Sequence, residues 1–186
     1  KSFKIMKKIF IITIIMFSFF NKTNAGYEQL AYEFSFKSID GGNINLQNYK
    51  NNVIVVVNVA SRCGFTNQYE DLQNLWSKYK DKNLVVVGVP TNNFKQEPGS
   101  NKDIKDFCET NFNISFPMTE KMDVIGGNAH PFFEWAKENH GRSAIPKWNF
   151  HKIIIGKDGK IVGTFASFTK PSSKKFINLI EKEIKN

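Results

Sequence analysis

Val53-Ile54-Val55-Val56-Val57-Asn58-Val59-Ala60-Ser61-Arg62-Cys63-Gly64-Phe65-Thr66 runs from an unbroken β-branched segment into a turn of small residues that carries a cysteine. The apolar run lacks the alternation of a half-exposed strand and reads as a central strand covered on both faces. Downstream, Tyr69, Leu72, Leu75, Trp76 and Tyr79 recur at helical spacing, with Glu70 and Asp71 early and Lys78, Lys80 and Lys82 late, the charge order a helix dipole favours. The spacing predicts a helix from about Asn67 to Tyr79, so Cys63 falls in the turn ahead of a helix N-terminus. Unpaired N–H groups there, with Arg62 beside them, favour thiolate over thiol. On these residues alone two readings stand: a reactive thiol, or a small buried apolar side chain.

Leu84-Val85-Val86-Val87-Gly88-Val89 is a second all-apolar strand, which makes 53–89 a β-α-β unit with parallel strands. Ahead of it, Tyr32 to Phe36 alternates aromatic and polar residues and Asp40-Gly41-Gly42 turns into Asn43 to Leu46, predicting a short N-terminal β-hairpin. Pro90 to Gly99 reads as a loop. Ser100 with Asp103 resembles a capping box opening a helix over 101–112, with Ile104, Phe107, Cys108 and Phe112 on one side. Phe116-Pro117-Met118 reads as a short extended piece, and Asn128 to Asn139 as a helix turning Phe132, Phe133 and Trp135 to the core. Trp148 to Ile155 and Ile161 to Phe165 flank Gly156-Lys157-Asp158-Gly159-Lys160, a hairpin signal centred on Asp-Gly. Pro171-Ser172-Ser173 then starts a helix striped by Phe176, Ile177, Ile180 and Ile184. A β-α-β unit, a hairpin and a closing helix make an α/β, thioredoxin-like plan: a central mixed β-sheet flanked by helices, extended by the N-terminal hairpin and the helix at 101–112.

A chain of 186 residues, 41% of them hydrophobic, buries one core, and no internal repeat argues for more than one domain. The first residues stand apart from that core. Lys4, Lys7 and Lys8 precede an apolar run of 12 residues from Ile9 to Phe20, and polar residues then lead to Thr23-Asn24-Ala25. That pattern predicts a cleavable signal peptide over 1–25, export to the periplasm of a bacterium, and a mature domain over 26–186. Twelve apolar residues are too few to span a hydrocarbon layer of about 30 Å, so stable membrane insertion after cleavage is not expected. Met6 is the expected true start. Five of the 26 basic residues and none of the acidic ones precede Gly26, which leaves the mature part at only +4. Its lysines are spread out and give no nucleic-acid footprint. His130, His140 and His151 lack partners at metal-ligand spacing, and no metal or cofactor is expected.

Asn58-Val59-Ala60-Ser61-Arg62-Cys63-Gly64, Gln96-Glu97-Pro98-Gly99-Ser100, Phe107-Cys108, Phe116-Pro117, Asn128-Ala129-His130-Pro131 and Lys147-Trp148-Asn149-Phe150 follow one another in the order of a known pattern. From about Tyr32 to Ile184 the chain resembles the glutathione peroxidase family in its cysteine form. The resemblance implies a thiol peroxidase reducing hydrogen peroxide and organic or lipid hydroperoxides, in which Cys63 attacks the O–O bond and becomes a sulfenic acid. Gln96, Trp148 and Asn149 would supply the fixed donors that hold the transition-state charge. Taken singly, Trp148 reads equally as a core aromatic, and Gln96 and Asn149 as surface loop residues. Cys108, 45 positions after Cys63, would be the resolving cysteine, its disulfide reduced by a thioredoxin-like protein or by glutathione. Two cysteines in an exported chain also fit a permanent Cys63–Cys108 bond. A peroxide sensor or relay that passes the disulfide to a client protein is the alternative function.

Departures from the family pattern are local. Where relatives commonly read Phe-Pro-Cys-Asn-Gln-Phe-Gly, this chain has Val89-Pro90-Thr91-Asn92-Asn93-Phe94-Lys95, with one residue fewer before Gln96. The segment Lys137 to Pro146 is short where tetrameric, glutathione-using relatives carry an insertion, which implies a monomer, or a weak dimer, with an open site.

Overall fold

The computed structural model describes residues 27–186; the predicted signal peptide over 1–25 lies outside them. Strands β1 (Ser35–Lys37) and β2 (Asn43–Asn45) pair as the N-terminal hairpin. The next strand, β3 (Val53–Val59), is buried along its whole length, as its unbroken apolar sequence requires. It lies between β4 (Leu84–Pro90), parallel to it, and β5 (Lys152–Ile155), antiparallel to it, while β6 (Ile161–Phe165) closes the order β4-β3-β5-β6. The sheet is therefore mixed, and the fold is α/β and thioredoxin-like.

Alternate side chains of β3 feed two cores. Val53, Val55, Val57 and Val59 pack with Leu72 and Leu75 of α1 (Gln68–Tyr79), with Ile104 and Cys108 of α2 (Asn101–Phe112), and with Phe176 and Ile180 of α4 (Lys174–Lys185). Ile54 and Val56 face Phe132, Phe133 and Trp135 of α3 (Pro131–His140) and the hairpin residues Phe36 and Ile44. This is the period-two geometry of a strand, read once on each face. The capping box at the start of α2 forms as expected: Ser100 N–H donates to Asp103 Oδ2 at 2.8 Å and Asp103 N–H to Ser100 Oγ at 3.2 Å.

Three boundaries differ from the sequence reading. Tyr32 lies in a 3-10 turn, Ala31–Glu33, not in the hairpin; its hydroxyl donates to the Lys157 carbonyl at 2.6 Å, which ties the chain to the β5–β6 turn before pairing begins. The third helix starts at Pro131, not near Asn128, because a residue before proline is kept out of the helical region and the His130 side chain serves as N-cap, accepting from Phe132 N–H. Strand β5 begins at Lys152, not at Trp148. Phe150 adopts a left-handed φ of 62° and donates its N–H to Asn58 O at 2.6 Å, so residues 148–150 form a turn that docks on the end of β3.

The extended piece Phe116-Pro117-Met118 adds a parallel bridge to β4 at Gly88, which donates to Pro117 O and accepts from Thr119 N–H, each at 2.9 Å. A Cβ at Gly88 would run into Met118 Sδ and the Phe116 ring. Gly88→Val should therefore lower the unfolding free energy by about 1–3 kcal/mol through overpacking, read from the shift of the urea midpoint at unchanged slope.

Candidate active site

The turn after β3, the loop after β4 and the loop before β5 converge at the carboxyl end of β3, the usual place for a site in an open α/β sheet. In the first, Thr66 does the local stitching. Its Oγ1 accepts from Cys63 N–H at 3.0 Å and donates to Ala60 O at 3.0 Å, and its own N–H donates to Cys63 O at 3.0 Å. Cys63 is nearly buried, and its Sγ accepts from Phe65 N–H at 3.4 Å. The helix itself contributes less than its sequence suggests. The N–H groups of Gln68, Tyr69 and Glu70 are already taken by the carbonyls of Phe65, Thr66 and Asn67, so the donor aimed at the sulfur is the Phe65 amide of the turn.

The second loop is anchored by a buried carboxylate. Glu97 Oε2 accepts from both Ser61 N–H, at 2.7 Å, and Ser61 Oγ, at 2.9 Å. Burial raises the Glu97 pKa, and the two Ser61 hydrogen bonds, then Lys121 and Arg62, pull it back. Asn92 Oδ1 accepts from Glu97 N–H at 3.0 Å, and Thr91, where the family pattern has cysteine, donates its hydroxyl to Asn93 Oδ1 at 2.9 Å. Lys95 takes a left-handed φ of 58° at the place where that pattern has glycine, and so closes the shortened loop. Gln96 then comes down on the cysteine turn: its carbonyl accepts from Arg62 N–H at 3.1 Å.

Asn58 holds the third loop. Its Nδ2 donates to Trp148 O at 3.2 Å and its Oδ1 accepts from His151 N–H at 3.1 Å, so one buried amide fixes both ends of the 148–151 turn. Asn149, fully buried, donates from Nδ2 to Gln96 Oε1 at 2.9 Å. That bond occupies the Gln96 oxygen and leaves its amide N–H groups as the donors it can offer. Trp148 is 41% exposed and its ring lies 5.4 Å from that of Phe94. It is a surface aromatic of the site, not the core aromatic of the alternative reading.

The structure thus joins Gln96 to Asn149 directly, places Trp148 next to them, and ties Gln96 through Arg62 to the Cys63 turn. Cys108 arrives separately, on α2. Both cysteines are free thiols in the same apolar cluster. Burial pushes the Cys108 thiol up to about 11, with Glu97 and Glu109 adding to it and the Tyr69 hydroxyl opposing. Tyr69, fully buried with its ring between Phe112 and Phe150, is itself held well above the usual phenol range by burial first and the Cys108 sulfur next.

The residues missed from sequence are the holders: Thr66, Glu97, Asn58 and Lys152. Asn58 stood out as the one polar residue of an otherwise apolar strand, and Glu97 lies inside a quoted motif. A carboxylate two positions beyond Lys95 gave no sign that it would be buried.

The family model described as "Glutathione peroxidase" matches residues 31–137. Among individual proteins, the chain is 43% identical over 147 residues to Glutathione peroxidase-like peroxiredoxin 2 of Saccharomyces cerevisiae, covering 76% of this chain and 90% of that one. It is 41% identical over 149 residues to Hydroperoxy fatty acid reductase gpx1 of Synechocystis sp., covering 75% and 88%. Among solved structures, the crystal structure of Trgpx in apo form superposes with a TM-score of 0.67 at 32% identity, covering 85% of this chain and 97% of that one. A thiol:disulfide interchange protein from Chlorobium tepidum, at TM-score 0.62 and 14% identity, shares the fold over 81% of this chain and 92% of its own.

Lys152 is the least expected of the holders, a fully buried amine at the start of β5. Its Nζ donates to Gln68 Oε1 at 2.5 Å and to Thr169 O at 2.7 Å, while Gln68 Nε2 donates to Ser167 O at 2.6 Å. A neutral amine has two N–H groups and can keep both bonds. Burial lowers its pKa to about 7 from an ordinary 10.5, against the pull of Asp71. The unfolded chain then holds a proton that the fold releases above pH 7, so stability rises with pH from about 7 towards 9, beyond which the raised thiol of Cys108 works against it. Urea unfolding of the wild type should show a higher midpoint at pH 9 than at pH 7. Lys152→Met should be less stable throughout and lack that rise.

Proposed function

Because the chain belongs to the glutathione peroxidase family, we propose that Cys63 is its peroxidatic nucleophile, that Gln96, Trp148 and Asn149 hold the transition-state charge, and that Cys108 resolves the oxidised thiol. The protein is a thiol peroxidase that reduces hydroperoxides. The observation that carries the residue assignment is the 2.9 Å hydrogen bond from Asn149 to Gln96, which joins side chains 53 positions apart at the mouth of the Cys63 turn.

The thiolate of Cys63 takes the terminal OH of ROOH as the O–O bond breaks, leaving Cys63 as sulfenic acid and RO⁻, which gains a proton and departs as ROH. Negative charge moves from sulfur to the leaving oxygen during this step. Donors already fixed in place stabilise it without reorganising, which is what the Gln96 amide, the Asn149 amide and the Trp148 indole would contribute. The Cys108 sulfur then attacks the sulfenic sulfur; an S–S bond forms and water leaves. A dithiol reductant returns two electrons by thiol–disulfide exchange. The proposal assigns that role to a thioredoxin-like protein, with glutathione as the second possibility.

Resolution needs Cys108 to come out of the core. Helix α2 is the element that would move: of its 12 residues Ile104 and Cys108 are buried, with Phe107 and Phe112 half-buried against the core. Its local opening lifts Ile104, Phe107, Cys108 and Phe112 off the core and leaves the sheet hydrogen bonds in place. The proposal extends to a working form that is exported after cleavage behind Ala25 and acts as a monomer.

Peroxide treatment followed by mass spectrometry tests the cycle. Cys63→Ser should lose at least ~10³-fold of peroxidase activity, the scale on which removal of a covalent nucleophile acts, and should form no sulfenic acid. Cys108→Ser should complete one turnover and hold a trapped sulfenic acid at Cys63. Full activity in Cys63→Ser would overturn the assignment.

A further inference from the structure

Lys152 is fully buried in a strand whose other members are Ile153, Ile154 and Ile155, and its cross-strand partners Val57 and Phe165 are apolar. An apolar side chain would fill that place at a lower desolvation cost, so the use of the amine lies outside the strand. Its Nζ and the Gln68 amide grip the 167–169 turn from both sides of Phe168. Gln68 Nε2 donates to Ser167 O at 2.6 Å, Lys152 Nζ donates to Thr169 O at 2.7 Å, and a 2.5 Å bond from Lys152 Nζ to Gln68 Oε1 joins the two. The turn already closes on itself through Thr169 N–H to Ala166 O at 3.0 Å, so what the grip adds is placement. The residue placed is Phe168, 84% exposed, whose ring meets Phe65 edge-on at 5.2 Å.

Phe65 is held from a second direction. Gln68, whose side chain is fixed by Lys152, donates its backbone N–H to Phe65 O at 2.8 Å. The Phe65 N–H in turn donates to Cys63 Sγ at 3.4 Å, the one hydrogen bond that sulfur receives among the described residues. Ring and carbonyl of Phe65 thus both lead back to one buried amine, while its N–H touches the thiol. We propose that Lys152 is a positioning residue for the peroxide-reducing step: acting through Gln68 and Phe168, it keeps the Phe65 amide on the Cys63 sulfur. A donor fixed there supports the negative charge that the attacking sulfur carries. Lys152 makes no side-chain hydrogen bond to Cys63, Gln96, Trp148 or Asn149, so its influence on the site runs through Phe65. The inference rests on Cys63 as the peroxide-reducing thiol.

The test uses the full chain carrying Cys108→Ser, which leaves Cys63 as its one thiol. Lys152→Met, Phe168→Ala and the two together are compared in that parent. Oxidation of Cys63 by hydrogen peroxide is followed by stopped flow and mass spectrometry. Hydrogen exchange of the Phe65 amide is followed by NMR, with the Val55 and Val56 amides of the central strand as references. Lys152→Met should slow oxidation about tenfold, the scale of one hydrogen bond to a charged atom. It should speed Phe65 exchange by a similar factor while Val55 and Val56 stay protected. Phe168→Ala removes an exposed side chain and should leave the urea midpoint in place, yet slow oxidation about threefold, as expected for loss of one aromatic contact. Because both act on Phe65, the double variant should be no slower than Lys152→Met alone. Parental oxidation in Lys152→Met, parental protection of its Phe65 amide, or losses that multiply in the double variant would each overturn the inference. So would equal loss of protection at Phe65, Val55 and Val56, the mark of a residue that only stabilises the sheet. Where Lys152→Met is too unstable to assay, Phe168→Ala decides, since parental oxidation and Phe65 exchange in it overturn the inference. If the parent forms no sulfenic acid at Cys63, the Cys63 reading itself fails, and Phe65 exchange still decides whether Lys152 holds the amide.

Discussion

One side-chain amide sets the geometry on which the site depends. Asn58 sits near the end of a strand buried on both faces, where water cannot satisfy it, so its donor and its acceptor must both find protein partners. They find Trp148 O and His151 N–H, and the Asn58 backbone adds Phe150 N–H and His151 O. The price of burying an amide in the sheet is thus recovered by locking a loop 90 positions away in sequence. Replace the amide by a hydrocarbon and β3 would keep its place in the sheet, but the turn that carries Trp148 and Asn149 would lose its register.

Glu97 applies the same logic to the other loop. A carboxylate is buried against Ser61 just ahead of Cys63, and its two strong hydrogen bonds fix the turn from the side opposite Asn58. The polar residues of the site therefore divide into those that hold and those that offer free donors. Asn58, Thr66 and Lys152 have their side-chain polar atoms, and Glu97 its Oε2, spent on backbone or neighbouring side chains. Gln96 keeps its amide N–H groups, Asn149 the second N–H of an amide whose first is given to Gln96 Oε1, and Trp148 its indole N–H. Preorganisation is the work of the first set, and in the proposed mechanism it is what would let the second act on developing charge.

The fold was legible in the sequence because its two parallel strands are continuous apolar runs, and nothing but a sheet covered on both sides accommodates Val53 to Val59 and Leu84 to Val89 together. The helix at 101–112 was legible through its capping box, and the final hairpin through Asp158-Gly159. What was not legible was any feature decided by a distant partner. Trp148 to Phe150 carries strand-like residues, yet docking on Asn58 bends it into a turn. The expectation that α1 would aim free N–H groups at Cys63 failed because the turn between them uses three carbonyls to cap the helix from inside. Gln96 and Asn149 were placed by motif; their mutual hydrogen bond depends on a loop closed by the left-handed Lys95, which no spacing argument supplies.

The two thiols are kept under opposite conditions. Cys63 lies in a tight turn with an amide directed at its sulfur, at the edge of the core and 8% exposed. Cys108 lies in the apolar interior, where its proton is held to about 11 and it is a poor nucleophile at neutral pH. If Cys108 resolves as proposed, it must be kept from reacting with peroxide first, and burial would achieve this without any blocking group. In the proposed cycle, resolution then requires Cys108 to leave its packed position. That opening of α2 separates Ile104, Phe107, Cys108 and Phe112 from the core, whereas β3, which leads into the Cys63 turn, is buried throughout and stays in the sheet. In the proposed cycle the nucleophile sits in the turn that follows the fully buried β3 and the resolving thiol on α2, so the two steps would follow in time: peroxide meets the turn thiol first, and the second sulfur arrives when its helix opens.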